Sequence, residues 1–320
     1  MEAALCVREC DSADPALIMI SKDAPPAWHR PVMVEAVLRY LQPHPGATIV
    51  DGTVGTGGHS LALLTPLLPN GRLIAIDRDQ VSLGMARERL REFEPHVTFI
   101  HENYRNLPTV LKRLDMTRVD GLLLDLGMSS AQVDRAERGF SFSKEGPLDM
   151  RMDETQATTA ETLIKQLTVE ELTQLLQTLG EERFARRIAH RIVQARRVRL
   201  MTTTSQLADI ITEAVPPAAR HGRLHPATRA FQALRMAVND ELGALDEFLG
   251  YLPDLLAAGA RAVIISFHSL EDRLVKRAFA QGARSGTWRL LTPKPLRPTE
   301  DEVKDNPRAR SAKLRAVEKL

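Results

Sequence analysis

Asp51-Gly52-Thr53-Val54-Gly55-Thr56-Gly57-Gly58-His59 follows the apolar run Thr48-Ile49-Val50 and leads into the helical pattern Ser60-Leu61-Ala62-Leu63-Leu64. The order is strand, glycine turn, helix. Closely spaced glycines let the backbone take positive φ and approach a ligand without Cβ atoms in the way, and the N–H groups that open a helix suit a polar or anionic group. A second apolar run, Leu73-Ile74-Ala75-Ile76, ends in Asp77. An acid about 20 residues beyond such glycines accepts hydrogen bonds from ribose hydroxyls in this architecture. The pair of features predicts a nucleoside-containing cofactor.

The dinucleotide pattern Gly-x-Gly-x-x-Gly fails at its last position, because counting from Gly55 places Ser60 there. What stands instead, Asp51 at the strand end with glycines at 55 and 57, is close to the Asp-x-Gly-x-Gly-x-Gly loop of S-adenosylmethionine-dependent methyltransferases, with Thr53 in place of the first glycine. S-adenosylmethionine is therefore the expected cofactor.

Apolar runs at Thr48–Asp51, Leu73–Asp77, Val97–His101, Gly121–Asp125 and Ala262–Ser266 alternate with helical patterns at Val32–Leu41, Gln80–Phe93 and Asn106–Leu114. Such alternation predicts an α/β fold, a doubly wound Rossmann-like parallel sheet with helices on both faces. About 135 residues without a convincing strand separate the fourth and fifth runs, far more than an ordinary crossover, so an all-helical domain is inserted there. Within it, Thr168-Val169-Glu170-Glu171 is a capping box whose helix stops at Gly180. Glu181–Val198 reads as a basic helix, Ser205–Val215 as another, and Thr228–Leu249 as the return. The expected division is a flank at 1–28, a first core part at 29–135, the helical substrate-recognition insertion at 136–245, and the rest of the core with a basic tail at 246–320.

At 320 residues, 43% hydrophobic and 26% charged, the composition is that of an ordinary globular protein. No apolar run approaches the roughly 20 residues that span a bilayer, and the first residues lack the pattern of a signal peptide, so a cytoplasmic location without membrane partners is expected. Cys6 and Cys10 are the only cysteines and have no histidine partner at zinc-ligand spacing, which predicts no metal site. A net charge of +2 is uninformative, but Glu181–Arg199 holds seven arginines against two glutamates, Arg186 and Arg187 among them. That run is either a solvated face or a contact for an RNA backbone, with Arg220, Arg223, Arg229 and Arg235 nearby.

If the first and fourth strands are neighbours, Asp125 faces the glycine loop across the crevice. It is either a turn or cap aspartate or a carboxylate near the cofactor and methyl acceptor. Phe267 and His268, at the end of the fifth strand, either stack on and bond a flipped base or belong to the core. His59 is either a cofactor contact or packing at the helix start. The tail Asn306–Arg315 is either a disordered end or a basic strap across the catalytic domain.

The chain resembles the bacterial small-subunit ribosomal RNA methyltransferase H family, also called MraW. The resemblance rests on His29-Arg30-Pro31-Val32-Met33, Asp51–Ser60, Ala75-Ile76-Asp77-Arg78-Asp79, Leu124–Met152, Gly180–Ile188, His225-Pro226-Ala227-Thr228-Arg229, Ser266–Arg273 and Asn306–Arg315. It implies methylation of N4 of a decoding-region cytidine in 16S ribosomal RNA, as naked RNA or within the small ribosomal subunit. It also implies cofactor contacts at Gly57, Gly58, His59, Asp77, Tyr104, Asp125 and Gln132. Many amino-methyltransferases carry Asp/Asn/Ser-Pro-Pro-aromatic after the fourth strand, whereas this chain has Asp125-Leu126-Gly127-Met128, so the sequence assigns no group to hold the amine. Two other readings compete: a nicotinamide-dependent oxidoreductase, opposed by Ser60, and a nucleotide-regulated RNA-binding protein without catalysis, opposed by the cofactor loop with Asp77.

Overall fold

The computed structural model describes residues 30–320 apart from Arg223, so the flank 1–28 with Cys6 and Cys10, together with His29, lies outside the described residues. Seven strands form one sheet: β1 (Thr48–Asp51), β2 (Arg72–Asp77), β3 (Val97–His101), β4 (Val119–Asp125), β5 (Leu256–Ser266), β6 (Trp288–Leu290) and β7 (Lys313–Lys319). Their order is β3-β2-β1-β4-β5-β7-β6, with β7 antiparallel to both neighbours.

The strands are apolar on both faces because both faces are covered. Ile49, Leu73, Ala75, Leu123, Val263 and Ile265 point into one core, shared with Val37, Leu63 and Ala86 of the helices Val34–Leu41, Gly58–Leu67 and Gln80–Arg89. Their neighbours in sequence, Val50, Ile74, Ile76, Leu122, Leu124 and Ile264, enter the opposite core with Val110, Phe248 and Val275 of Leu107–Arg113, Glu241–Leu255 and Ser269–Arg284. The period of two along each strand thus divides the side chains between two helical layers.

β1 pairs with β2 on one side and with β4 on the other, Val50 lying opposite Leu122. The strand order reverses between β1 and β4, and the loops that follow them open a crevice there.

Between β4 and β5 the described residues carry helices, including Ala160–Gln166, Val169–Thr178, Ala185–Val198, Thr204–Ala214 and Thr228–Asn239, and an isolated bridge from Pro147 to Thr203. A third apolar core, reaching from Phe140 to Val238, belongs to this segment. The expected capping box is present, Thr168 Oγ1 accepting from Glu171 N–H and Glu171 Oε2 from Thr168 N–H.

Three expectations are corrected. The basic helix begins at Ala185 and not at Glu181, because Glu181 has left-handed backbone (φ 46°) and the chain turns before it coils. The return at Thr228–Leu249 is two helices, broken where Asp240 takes φ 46°. The tail is neither a loose end nor only a strap: Pro307–Ser311 is a short turn of helix, and β7 is an interior strand between β5 and β6.

Candidate active site

The crevice beyond β1 and β4 has a volume of about 420 Å³. Asp51, at the end of β1, is buried, accepting from Ser60 Oγ at 2.7 Å and Thr53 N–H at 3.2 Å. It fastens the loop to the first turn of the next helix. Gly55 and Gly57 sit at φ 52° and 80°, where a side chain is strained, and Gly58 abuts Pro31 so closely that a Cβ would lie 3.0 Å from the ring. Gly58 lines the crevice, whereas Gly57, expected as a cofactor contact, is not among the lining residues and a Cβ there would meet Ala86 and Leu90 at 3.4 Å.

Asp77, at the end of β2, accepts from Gly55 N–H at 2.7 Å and Asp79 N–H at 2.8 Å, holding the glycine loop in place while lining the crevice. Burial pushes its carboxyl up to about 7, against the lowering effect of these two N–H groups. Asp79 is more deeply buried. Its Oδ2 accepts from Gln132 Nε2 at 2.8 Å and Arg138 Nη1 at 3.0 Å, and Gln132 Oε1 accepts from Ser129 N–H. Gln132 therefore lines the crevice with its amide already engaged inside the protein.

His59 is buried, and its Nε2 lies 2.7 Å from Val32 O. A carbonyl only accepts, so Nε2 carries the hydrogen and Nδ1 presents its lone pair, 3.5 Å from Asp125 Oδ2. Burial lowers the His59 imidazole below its ordinary value. Asp125 goes the other way: burial, then the charge of Glu271, push it up to about 8. Its Oδ1 is buried without a hydrogen-bond partner. Tyr104, also buried, meets Phe248 edge to face at 5.5 Å.

The far side of the crevice is built from β5 and from the two helices that bring the chain back to the sheet. Phe267 packs over Gly127 of the loop after β4. His268 caps Ser269–Arg284, its Nδ1 accepting from Glu271 N–H at 3.4 Å. Its Nε2 faces Glu271 Oε1 at 3.1 Å, so the imidazole and the carboxylate are held together across the first turn of the helix. Arg235 grips Glu241 through two 2.7 Å hydrogen bonds. Burial works to raise Glu271, but His268, Arg235 and the Phe267 N–H outweigh it and hold the carboxyl below its ordinary value. Glu241, His268 and Glu271 offer ligand atoms within 4.8 Å of one another, and the Arg235 guanidinium already supplies a positive charge to that group.

The structure thus brings Gly58, His59, Asp77, Tyr104, Asp125, Gln132, Phe267 and His268 to one crevice. Arg186 and Arg187 lie elsewhere, exposed on the helical segment beside His190 and Arg191. Sequence reasoning missed Glu241 and Glu271 and gave Arg235 only to a basic surface. Arg235 and Glu241 come from helices that meet only because Asp240 breaks the chain, and no spacing rule signals that.

The sequence model of the MraW methylase family matches residues 26–320. The chain belongs to the MraW methylase family. Curated relatives named ribosomal RNA small subunit methyltransferase H are 48% identical in Geobacter sulfurreducens over 307 residues, covering 91% of this chain and 99% of the relative. The corresponding protein of Heliobacterium modesticaldum is 46% identical over 308 residues, covering 91% and 98%; that of Halothermothrix orenii is 42% identical over 307 residues, covering 91% and 98%.

As an MraW methylase, the chain is a methyltransferase that uses S-adenosylmethionine. The crevice fits that group: a glycine turn at the switch point, an acid at the end of β2, and a buried acceptor, Asp125 Oδ1, with no partner in the protein. The cofactor supplies an electrophilic methyl group on a sulfonium.

Proposed function

We propose that this methyltransferase acts on N4 of a cytidine in the decoding region of 16S ribosomal RNA, as naked RNA or within the small ribosomal subunit. The observation that carries this reading is the crevice itself. Its cofactor half, at Gly58, Asp77 and Tyr104, continues into a second half bounded by Phe267, His268 and Glu271, where an aromatic ring and polar groups suit a flipped base. The names of the curated relatives, ribosomal RNA small subunit methyltransferase H, support small-subunit ribosomal RNA as the substrate.

In this reading Gly57, Gly58, His59, Asp77, Tyr104, Asp125 and Gln132 form the cofactor side, directly or by supporting its wall. Residues 29–135 and 246–320 supply the catalytic core, and 136–245 recognise the RNA. Arg186 and Arg187 belong to an exposed basic face on that segment, where Arg197 and Arg199 are also exposed. Arg196 is committed to the carbonyls of Ile164 and Leu167, and Arg191 to Glu213.

The test is a thermal-shift comparison of S-adenosylmethionine with NAD, followed by methyl transfer to small subunits that lack the modification. Stabilisation by S-adenosylmethionine alone, with N4-methylcytidine in digested RNA, is expected. Stabilisation by NAD alone would move the chain to the oxidoreductases, and RNA binding without transfer would make it a binding protein.

A further inference from the structure

The helical segment is joined to the core by two kinds of contact. Where the chain leaves the core and returns to it, the ties are largely buried. Arg138 donates to Asp79 and to the carbonyls of Arg151 and Met152, Asn239 Oδ1 accepts from Met152 N–H, and Arg78 Nη1 donates to the Asn239 carbonyl at 2.8 Å. Glu181, in the middle of the segment, makes the second kind. Its left-handed backbone turns the chain, and its carboxylate accepts from Ser269 Oγ at 2.8 Å and Arg273 Nη2 at 3.0 Å on the core helix Ser269–Arg284. Arg229, from the helical segment, donates to the Glu181 backbone carbonyl at 2.9 Å and adds its charge to that of Arg273. Glu181, Arg229, Ser269 and Arg273 are all exposed. Ser269 directly follows Phe267 and His268, which line the crevice, so the contact stands at the mouth of its far half.

An exposed ion pair contributes little to stability and is easily exchanged. What this one displays is the chemistry of its cationic side: a hydroxyl and two guanidiniums, one from the core and one from the helical segment, converge on a single anionic residue. A phosphodiester carries the same charge as a carboxylate and offers an arginine the same pair of oxygens. The neighbouring acids are already engaged, Asp272 with Arg315 and Lys313 and Glu271 with His268. A nucleotide whose base enters the crevice leaves its phosphates outside, on the side where Ser269 and Arg273 stand. Resting on the substrate read above, we propose that Ser269, Arg273 and Arg229 bind a backbone phosphate of the RNA, and that Glu181 occupies this site in the RNA-free chain as a latch that the phosphate displaces. Once displaced, Glu181 no longer holds the helical segment to the core helix. The segment then keeps its buried ties at the base and adjusts to the RNA. Entry of RNA thus competes with an internal anion, so the latch lowers RNA affinity, which a merely structural bridge would not do.

The experiment measures binding of the full chain, with S-adenosylhomocysteine, to a short RNA bearing the target cytidine and to small subunits that lack the modification. Glu181→Gln keeps the length of the side chain and an acceptor for Ser269 but removes the charge that holds Arg273. It should bind RNA about 5-fold more tightly, the equivalent of one surface pair that no longer has to be broken. Arg273→Gln should weaken RNA binding and reduce the slope of log affinity against log salt by about one, with S-adenosylhomocysteine affinity within about twofold of the parent. In the double variant the gain from Glu181→Gln should shrink to less than about twofold, because the site it vacates has lost its core cation. That coupling separates a displaced latch from the general benefit of removing a negative charge near RNA, which would persist without Arg273. Unchanged or weaker RNA binding in folded Glu181→Gln, or an equal gain in both backgrounds, would overturn the latch while leaving the substrate reading intact. If the parent chain binds neither RNA nor subunits and makes no N4-methylcytidine, the substrate reading has failed, and the latch, with nothing to displace it, fails with it.

Discussion

Asp77 and Asp125 are two acids in one crevice whose carboxyls are both pushed toward neutrality, to about 7 and about 8, with burial as the leading cause. For Asp77 this makes cofactor affinity pH-dependent. Ribose hydroxyls bond better to a carboxylate than to a carboxylic acid, so affinity should rise as pH increases through about 7. Asp77→Ala should lower affinity about 10- to 100-fold at pH 8, the worth of a charged hydrogen bond, and should flatten the pH dependence. Calorimetry at pH 6 and pH 8 reads both effects, and a folded variant with parental affinity would remove Asp77 from the site. Asp125 carries a stability consequence. Its folded value lies above its unfolded value, so the folded state binds more protons than the unfolded one between about 4 and about 8, and stability falls as pH rises through that window. Asp125→Asn lacks this liability. The variant should gain on the parent by about 1.4 kcal/mol per pH unit across the window, measured as urea midpoints at pH 5 and pH 7.5. A constant difference between them would mean that Asp125 titrates alike in both states. Asp77 was legible in the sequence because it ends an apolar run at a recognisable distance from the glycines. The unpartnered edge of Asp125 was not, because it depends on where His59 points, and His59 points at a carbonyl far along the chain.

At the scale of elements, the segment 137–152 was recognisable only by resemblance, and the structure gives it a physical task. Gly139, at φ 70°, brings the chain so close to Pro147 that a Cβ would lie 2.1 Å from the Pro147 carbonyl oxygen. That turn delivers Arg138, with only 4% of its side chain exposed, to Asp79, with 1%. Arg138 also donates to the carbonyls of Arg151 and Met152, so one guanidinium joins the end of β2 to the start of the helical segment. Arg138→Met should destabilise the fold by about 3–5 kcal/mol, since it leaves a buried carboxylate short of its cation. A urea denaturation curve reads this, and a loss below about 1 kcal/mol would reduce the pair to an ordinary surface bridge. The basic helix Ala185–Val198 makes a different kind of prediction. Arg186→Glu with Arg187→Glu should weaken RNA binding and flatten its salt dependence while cofactor affinity is unchanged, because both side chains are exposed and remote from the crevice lining. An unchanged salt slope would return them to a solvated face. Helix existence was legible from periodicity and caps; helix limits failed where a non-glycine residue took left-handed backbone, at Glu181 and Asp240, which sequence patterns do not announce.

Across the whole molecule, five parallel strands and the long helical interruption were legible because buried strands are continuous apolar runs. β6 and β7 were not. β6 has three residues, and β7, Lys-Leu-Arg-Ala-Val-Glu-Lys, carries alternating charges that read as a basic tail. Those charges are satisfied at the sheet: Arg315 pairs with Asp272 at 2.7 Å, and Glu318 with Arg261 at 3.1 Å. The arrangement bears on the atom that is methylated. Methylation at C5 of cytosine requires a nucleophile, usually a cysteine thiolate, to add at C6 and make C5 electron-rich, whereas N4 needs only its lone pair aligned with the methyl group and a route for the departing proton. The chain's only cysteines, Cys6 and Cys10, lie about 40 residues before β1, and no cysteine lines the crevice among the described residues. Transfer should therefore be direct, without a covalent link between protein and RNA. A Cys6→Ser/Cys10→Ser double variant should keep the parental rate, and digested RNA should yield N4-methylcytidine by mass spectrometry. Loss of activity in a stable double variant, or 5-methylcytidine as the product, would require a nucleophile beyond those that the described residues bring to the crevice.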